Sequence, residues 1–182
     1  NLESAKLSYQ KLTQPADTLS LIQAENAVSK AQESKQNAED SLRKAYEDGF
    51  NNTANTFLAL PTVIAGLQDM LYSGSRELGG TGVWNTDYYA GTAGQYSDKA
   101  TLFKQDVYDK YQAARTAYDK SFNDYKSASR YSDTNTIEAL ITETYDATKT
   151  IAEAVKSANN LIQLYKDELT KTPQVLVFSQ EG

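Results

Sequence analysis

The placement of helix breakers constrains this chain more than any other feature. It has only three prolines, Pro15, Pro61 and Pro173, and each falls at a candidate boundary. Six of the nine glycines (Gly74, Gly79, Gly80, Gly82, Gly91, Gly94) lie between Ser73 and Tyr96. Proline and glycine are the strongest local interrupters of regular structure. Their confinement predicts two helical arms around one long Gly- and aromatic-rich loop, residues 73–96.

The first arm opens with a short amphipathic helix over residues 1–14, ended by Pro15. Pro15 suits the first turn of the next helix, where Asp17 is favourable near the positive end of the helix dipole. In the stretch 15–72 the residues Leu21, Ala24, Val28, Ala31, Lys35, Ala38, Leu42 and Ala45 recur at alternating spacings of three and four, a heptad seam whose alanines let a partner helix approach closely. Lys35 is its one charged intrusion, with a stem long enough to snorkel. Beyond Tyr46 the stripe becomes bulkier: Phe50, Ala54, Phe57, Leu58, Val63, Ile64, Leu67 and Leu71. Pro61 is expected to start a new helical segment there or to kink the existing one.

The return arm reads as two helices, 97–131 and 132–170. In the first, Val107, Tyr111, Ala114, Tyr118, Phe122 and Tyr125 share a face. Ser132 and Asp133 mark the next start, with Asn135 and Glu138 in capping-box spacing. The second carries Ile137, Ile141, Thr144, Thr148, Ile151, Val155, Ala158, Ile162, Tyr165 and Leu169, widened by Leu140, Ala147, Ala154 and Leu161. So broad a stripe needs two neighbours. The fold class expected is therefore all-α: an elongated, antiparallel, coiled-coil-like bundle of about three long helices over residues 1–172. The tail, residues 173–182, reads as irregular or strand-like.

Composition excludes much chemistry. The chain has no His and no Cys, which removes Ser-His-Asp and Cys-His catalysis, zinc fingers and disulfides. Lys plus Arg number 18 against 24 Asp plus Glu, a net charge of −6, which argues against a nucleic-acid partner. No stretch reaches the roughly 18–20 apolar residues of a spanning helix. The first residue is Asn1 rather than Met, which reads as an excised segment. Gly74-Ser-Arg-Glu-Leu-Gly79-Gly-Thr81 has phosphate-loop spacing, but Gly80 stands where the lysine belongs. Asp133 and Asn135 imitate the start of a calcium loop, but Glu138 occupies its glycine position, so a helix cap is the better account. Glu39-Asp40 and Glu47-Asp48 are consecutive pairs, pointing about 100° apart on a helix. They read as a solvated face. A carboxylate-only glycosidase would need a sugar-sized cleft, which three packed helices seldom offer. The expectation is no enzyme, no cofactor and no metal.

Trp84, Tyr88, Tyr89 and Tyr96 sit among the glycines and form the candidate partner-binding loop, since interfaces are enriched in such aromatics. The competing account is that the rings fold back to cover the bundle end.

The segments Ala5-Lys-Leu-Ser-Tyr-Gln-Lys-Leu-Thr-Gln-Pro-Ala-Asp17, Leu21-Ile-Gln-Ala-Glu-Asn-Ala-Val-Ser-Lys-Ala31, Lys44-Ala-Tyr-Glu-Asp-Gly-Phe50 and Ala154-Val-Lys-Ser-Ala-Asn-Asn-Leu-Ile162 carry a resemblance. Over about residues 1–170 the chain resembles the helical region of HlyD-like membrane fusion proteins, the periplasmic adaptors of bacterial efflux and secretion systems. The resemblance implies a non-catalytic helical domain inserted between the halves of a lipoyl-like β-domain, in an extracytoplasmic protein anchored by an upstream helix. The Ala-Pro-x-Asp-Gly-x-Val type of segment that marks a lipoyl half is not in this chain. Implied partners are transporter or channel subunits and further copies of the full-length protein, with membrane contact only through regions outside this segment. A different class, a helical pore-forming or surface-adhesion module, would use Phe57–Leu71 as a membrane-seeking patch.

Overall fold

The computed structural model describes residues 1–14, 17–74 and 83–171. Residues 75–82, which hold all of the phosphate-loop spacing except Gly74, and the tail 173–182 lie outside those residues. Every regular element described is a helix: α1 (Leu2–Thr13), α2 (Thr18–Tyr72), α3 (Asn85–Ala93), α4 (Ala100–Ser127) and α5 (Thr134–Lys171). The chain divides into two compact units, Asn1–Ala45 and Tyr46–Gly182.

The first unit comprises α1 and the leading part of α2. Asp17 caps α2, its Oδ1 accepting the Ser20 amide at 2.8 Å and its Oδ2 the Ser20 hydroxyl at 3.0 Å. Every described residue of this unit is exposed. Leu21, Val28 and Leu42 of the heptad seam keep 52%, 57% and 55% of their surface. The seam has the spacing of a packed face and no partner among the described residues.

The second unit has the core. Phe57, Leu60, Ile64, Leu67 and Leu71 of α2 meet Val107, Tyr111, Ala114 and Tyr118 of α4 and Ile151, Ala154, Ala158 and Leu161 of α5, with Ala90 of α3 joining them. Helices α4 and α5 run antiparallel, since Lys110 pairs with Glu153 at 2.9 Å and Lys120 with Glu143 at 2.6 Å. Helices α2 and α4 are also antiparallel. Phe50 stacks on Tyr125 (5.7 Å between centroids), and further along Tyr111 donates to Gln68 Oε1 at 3.2 Å. Helices α2 and α5 run parallel: Tyr46 donates to Glu138, and a Cβ on Gly49 would lie 2.8 Å from Ile141 Cδ1. The α2–α4 contact is aromatic, with Phe57 stacked on Tyr125 at 4.9 Å and tilted on Phe122 at 5.5 Å.

Several sequence expectations need correction. Of the two expectations for Pro61, the start of a new helical segment is overturned, because α2 continues through it. Proline removes the hydrogen bond to the carbonyl four residues back. Burial of Phe57, Leu60 and Ile64 around it holds the helix together. The buried face of α2 contains Thr53 and Leu60, whereas Leu58 is 78% exposed. On α5 the residues expected to widen the stripe form its centre. Ile137, Leu140, Thr144, Ala147, Ile151, Ala154, Ala158 and Leu161 are all buried, while Ile141, Val155 and Leu169 lie on an exposed edge. Small residues at 147, 154 and 158 favour this face, because they let α5 approach its neighbours closely. Finally, α5 is capped by Asp133, not through Asn135 and Glu138. Asp133 accepts the Thr136 amide at 3.0 Å and the Thr136 hydroxyl at 2.7 Å, and Glu138 accepts from Tyr46 instead.

Candidate functional site

The aromatic segment is not a continuous loop, because α3 occupies Asn85–Ala93 within it. Its position is fixed by Asn85, which is buried. The Asn85 side-chain amide donates to Met70 O at 3.2 Å and Asp69 O at 3.4 Å, and its backbone amide donates to Ser73 O at 3.2 Å. Carbonyls in the last turn of a helix have no partner within it. Asn85 thus caps the end of α2 and starts α3. Lys104 adds an ion pair to Asp87 at 2.5 Å, holding α3 to α4.

The four candidate aromatics separate into two kinds. Tyr88 and Tyr89 are half-buried and pack around Tyr165 of α5, at 6.0 and 5.2 Å between ring centroids. They fold back onto the core. Trp84 stands edge-on to Tyr72 at 5.3 Å with 53% of its surface exposed, and Tyr72 in turn packs on Tyr111 at 5.0 Å. Tyr96 is 51% exposed and has no ring partner among the described residues. The structure therefore brings Trp84, Tyr88 and Tyr89 to the α3 end of the core and leaves Tyr96 apart.

Electrostatics around these rings is that of a covered core. Burial, with smaller contributions from Tyr111, Tyr108 and Asp87, pushes the Tyr72 phenol up to about 12. Its hydroxyl is buried and has no hydrogen-bond partner among the described residues. Burial also raises Tyr89 and Tyr165. A buried phenol resists ionisation because the charged form loses hydration.

Elsewhere, ionisable groups are arranged as surface pairs. Lys120 bridges Asp124 and Glu143 at 3.0 and 2.6 Å. Hydrogen bonds to those two carboxylates, Glu143 first, raise its own ammonium. Lys110 is raised in the same way by Glu153. Both pairs sit where α4 faces α5 and fix their register. Below them Ser121 and Thr144 share a buried hydrogen bond of 3.2 Å. Thr144 gives its own proton to Leu140 O at 2.7 Å, so Ser121 is the donor. Ser157 donates to Asp106 further along the same interface. Among the described residues no group of three or more Asp and Glu is placed to hold a metal ion. None of the described helices is long and apolar enough to cross a membrane.

Sequence reasoning missed one surface. Gly49, Asn52 and Thr56 of α2 and Ile141, Tyr145 and Thr148 of α5 line a shallow groove between these parallel helices. The signal was the second apolar stripe on α5, which the broad pattern merged with the core stripe.

No family model matches the chain, and no curated protein or solved structure matches it either.

Proposed function

We propose that this chain is a non-catalytic helical assembly element: the helical domain of a membrane-fusion (periplasmic adaptor) type of protein. In this reading it couples an inner-membrane transporter to an export path through helix-mediated contacts. The observation that carries the reading is the seam Leu21–Ala45 on α2. It has the heptad spacing of a packed helix face, yet it is exposed along its length. A helix with unburied apolar periodicity is a surface that another helix completes. Residues 46–171 supply the anchoring body, an elongated, coiled-coil-like bundle of three long helices capped by α3. Trp84 and Tyr96, with their exposed rings, offer a second contact point at the α3 end.

The Phe57–Leu71 patch that a pore-forming module would use supplies Phe57, Leu60, Ile64, Leu67 and Leu71 to the core, which favours the assembly reading. Reading the parent gene outward from the codons for Asn1 and Gly182 tests the adaptor. The reading expects a membrane anchor upstream and half of a lipoyl-like β-domain on each side. Flanks with neither would overturn it.

A further inference from the structure

The seam on α2 also indicates what covers it. Its register separates two sizes. Leu21, Val28, Lys35 and Leu42 occupy one heptad position, and Ala24, Ala31, Ala38 and Ala45 the other. Two copies packed in parallel would stack like on like. Leu and Val layers would then alternate with alanine layers every half heptad, and two straight helices cannot narrow and widen over so short a distance. The alanine layers would remain voids, which close-packed interfaces do not tolerate. A parallel pair would also set Lys35 directly against its equivalent in the seam.

In an antiparallel pair each large residue faces an alanine. Every layer then pairs one larger side chain with one alanine, and the helices keep nearly one spacing. We infer that the seam of α2 docks antiparallel on the same seam of a second copy of this chain, with Lys35 opposite Ala38 of the second copy. That register sets Val28 opposite Ala45 and Ala31 opposite Leu42. It also brings the Lys35 ammonium beside Glu39 of the second copy, twice over by the two-fold symmetry of such a pair. Within one chain Lys35 already lies 3.6 Å from its own Glu39, and both side chains are exposed. Docking gathers these four charges into one balanced cluster. Besides Glu39, the flanking positions of the overlap are Gln32, Ser34 and Ser41, which are uncharged.

Every described residue of Asn1–Ala45 is exposed, the seam residues included. The overlap from Val28 to Ala45 is about 27 Å at 1.5 Å per residue. An interface that short is at the small end of stable contacts. The association is therefore weak and rises with concentration. The inference rests on the docking reading of the seam proposed above and names its partner.

The chain contains no cysteine, so single cysteines report pairing cleanly. Full-length V28C and A45C, carrying tags of different mass, are mixed at about 100 µM, the high concentration a weak contact needs, and oxidised with glutathione disulfide. The expected result is a V28C–A45C heterodimer exceeding either homodimer about tenfold, as cysteine geometry at facing positions requires. Adding K35E to both proteins should remove most of that product, and K35E with E39K should restore it. A V28C homodimer as the main product would overturn the inference in favour of parallel pairing. Cross-linking no greater than that of N26C, on the outer face, would overturn it in favour of α1 or a different protein as the occupant. That second outcome, together with an anchor and lipoyl halves in the parent gene, would remove the second copy and leave the adaptor reading standing.

Discussion

Gly66 lies in the middle of α2 with nothing within 4 Å of where a Cβ would stand. Glycine in a helix interior costs about 0.5–1 kcal/mol relative to alanine. Gly66→Ala should therefore raise stability by about that amount, read as a higher urea midpoint with an unchanged slope. Gly49 is the informative contrast. There a new Cβ meets Ile141 Cδ1 at 2.8 Å, and Ile141 is 38% exposed, so its terminal methyl can swing outward. Gly49→Ala should come out near neutral, and Gly49→Leu should destabilise by wedging α2 from α5. Leu161 has no exposed surface. Truncating such a side chain to alanine costs about 2–5 kcal/mol, the lost transfer energy plus a cavity. A Leu161→Ala protein as stable as wild type would contradict the core assignment. Tyr72 gives a pH signature. Its phenol is raised to about 12 by burial, so the folded state favours the neutral form. This stability is complete below pH 10, the ordinary phenol value, and is lost as pH rises towards 12. Absorbance at 295 nm should show a late-ionising tyrosine class, which also holds the buried Tyr89 and Tyr165, and Tyr72→Phe should shrink its amplitude by one phenol.

At the scale of the element, α2 shows what a sequence pattern can and cannot disclose. The helical character of residues 18–72 was legible in the spacing of Leu21 through Leu71, and so was the change of stripe after Tyr46. The passage through Pro61 was legible only as one of two alternatives. It depends on Phe57, Leu60 and Ile64 being buried on either side, which only tertiary packing decides. On α5 both apolar stripes were visible, but their ranking was not. Ile141 and Val155 look like better core residues than Ala147 and Ala154, until the approach of α4 makes volume rather than hydropathy the deciding quantity. Helix α3 was hidden for another reason: it is short, glycine-containing and held by the side chain of Asn85 on the end of α2, a contact with no local signature. The caps make the clearest prediction at this scale. Asp133 is held below the usual carboxylate range by the Thr136 hydroxyl and then the Thr136 amide, and Asp17 by the Ser20 amide and then its hydroxyl. A depressed carboxyl contributes stability above its ordinary value near pH 4 and loses it as pH falls through the depressed one. Thermal midpoints should fall below pH 4, less steeply in Asp133→Asn, which keeps a capping side chain without the charge.

For the whole molecule, the two units predict opposite responses to the same change. Ile151 is 2% exposed in the second unit, whereas Leu42 keeps 55% in the first. Ile151→Asp puts a charge into an apolar core and should abolish cooperative unfolding. Leu42→Asp should leave the second unit's melting unchanged and act only on association. The four aromatics of the candidate loop divide in the same manner. Tyr88 and Tyr89 pack half-buried against Tyr165, whereas Trp84 and Tyr96 keep about half of their surface exposed, a separation that no count of residues between glycines could make.

Amide hydrogen exchange on the intact chain, followed over a dilution series, measures the central claim most directly. A helix without a packed partner is marginal in water, whatever its propensity. The account predicts that amides of residues 57–71, 107–121 and 137–161 keep their protection at every concentration. Amides of residues 28–45 should lose theirs on dilution and regain it as the seam is covered. Protection of residues 28–45 equal to that of the core, and independent of concentration, would contradict the account. The seam would then be packed within the chain itself and would not be a surface awaiting a partner.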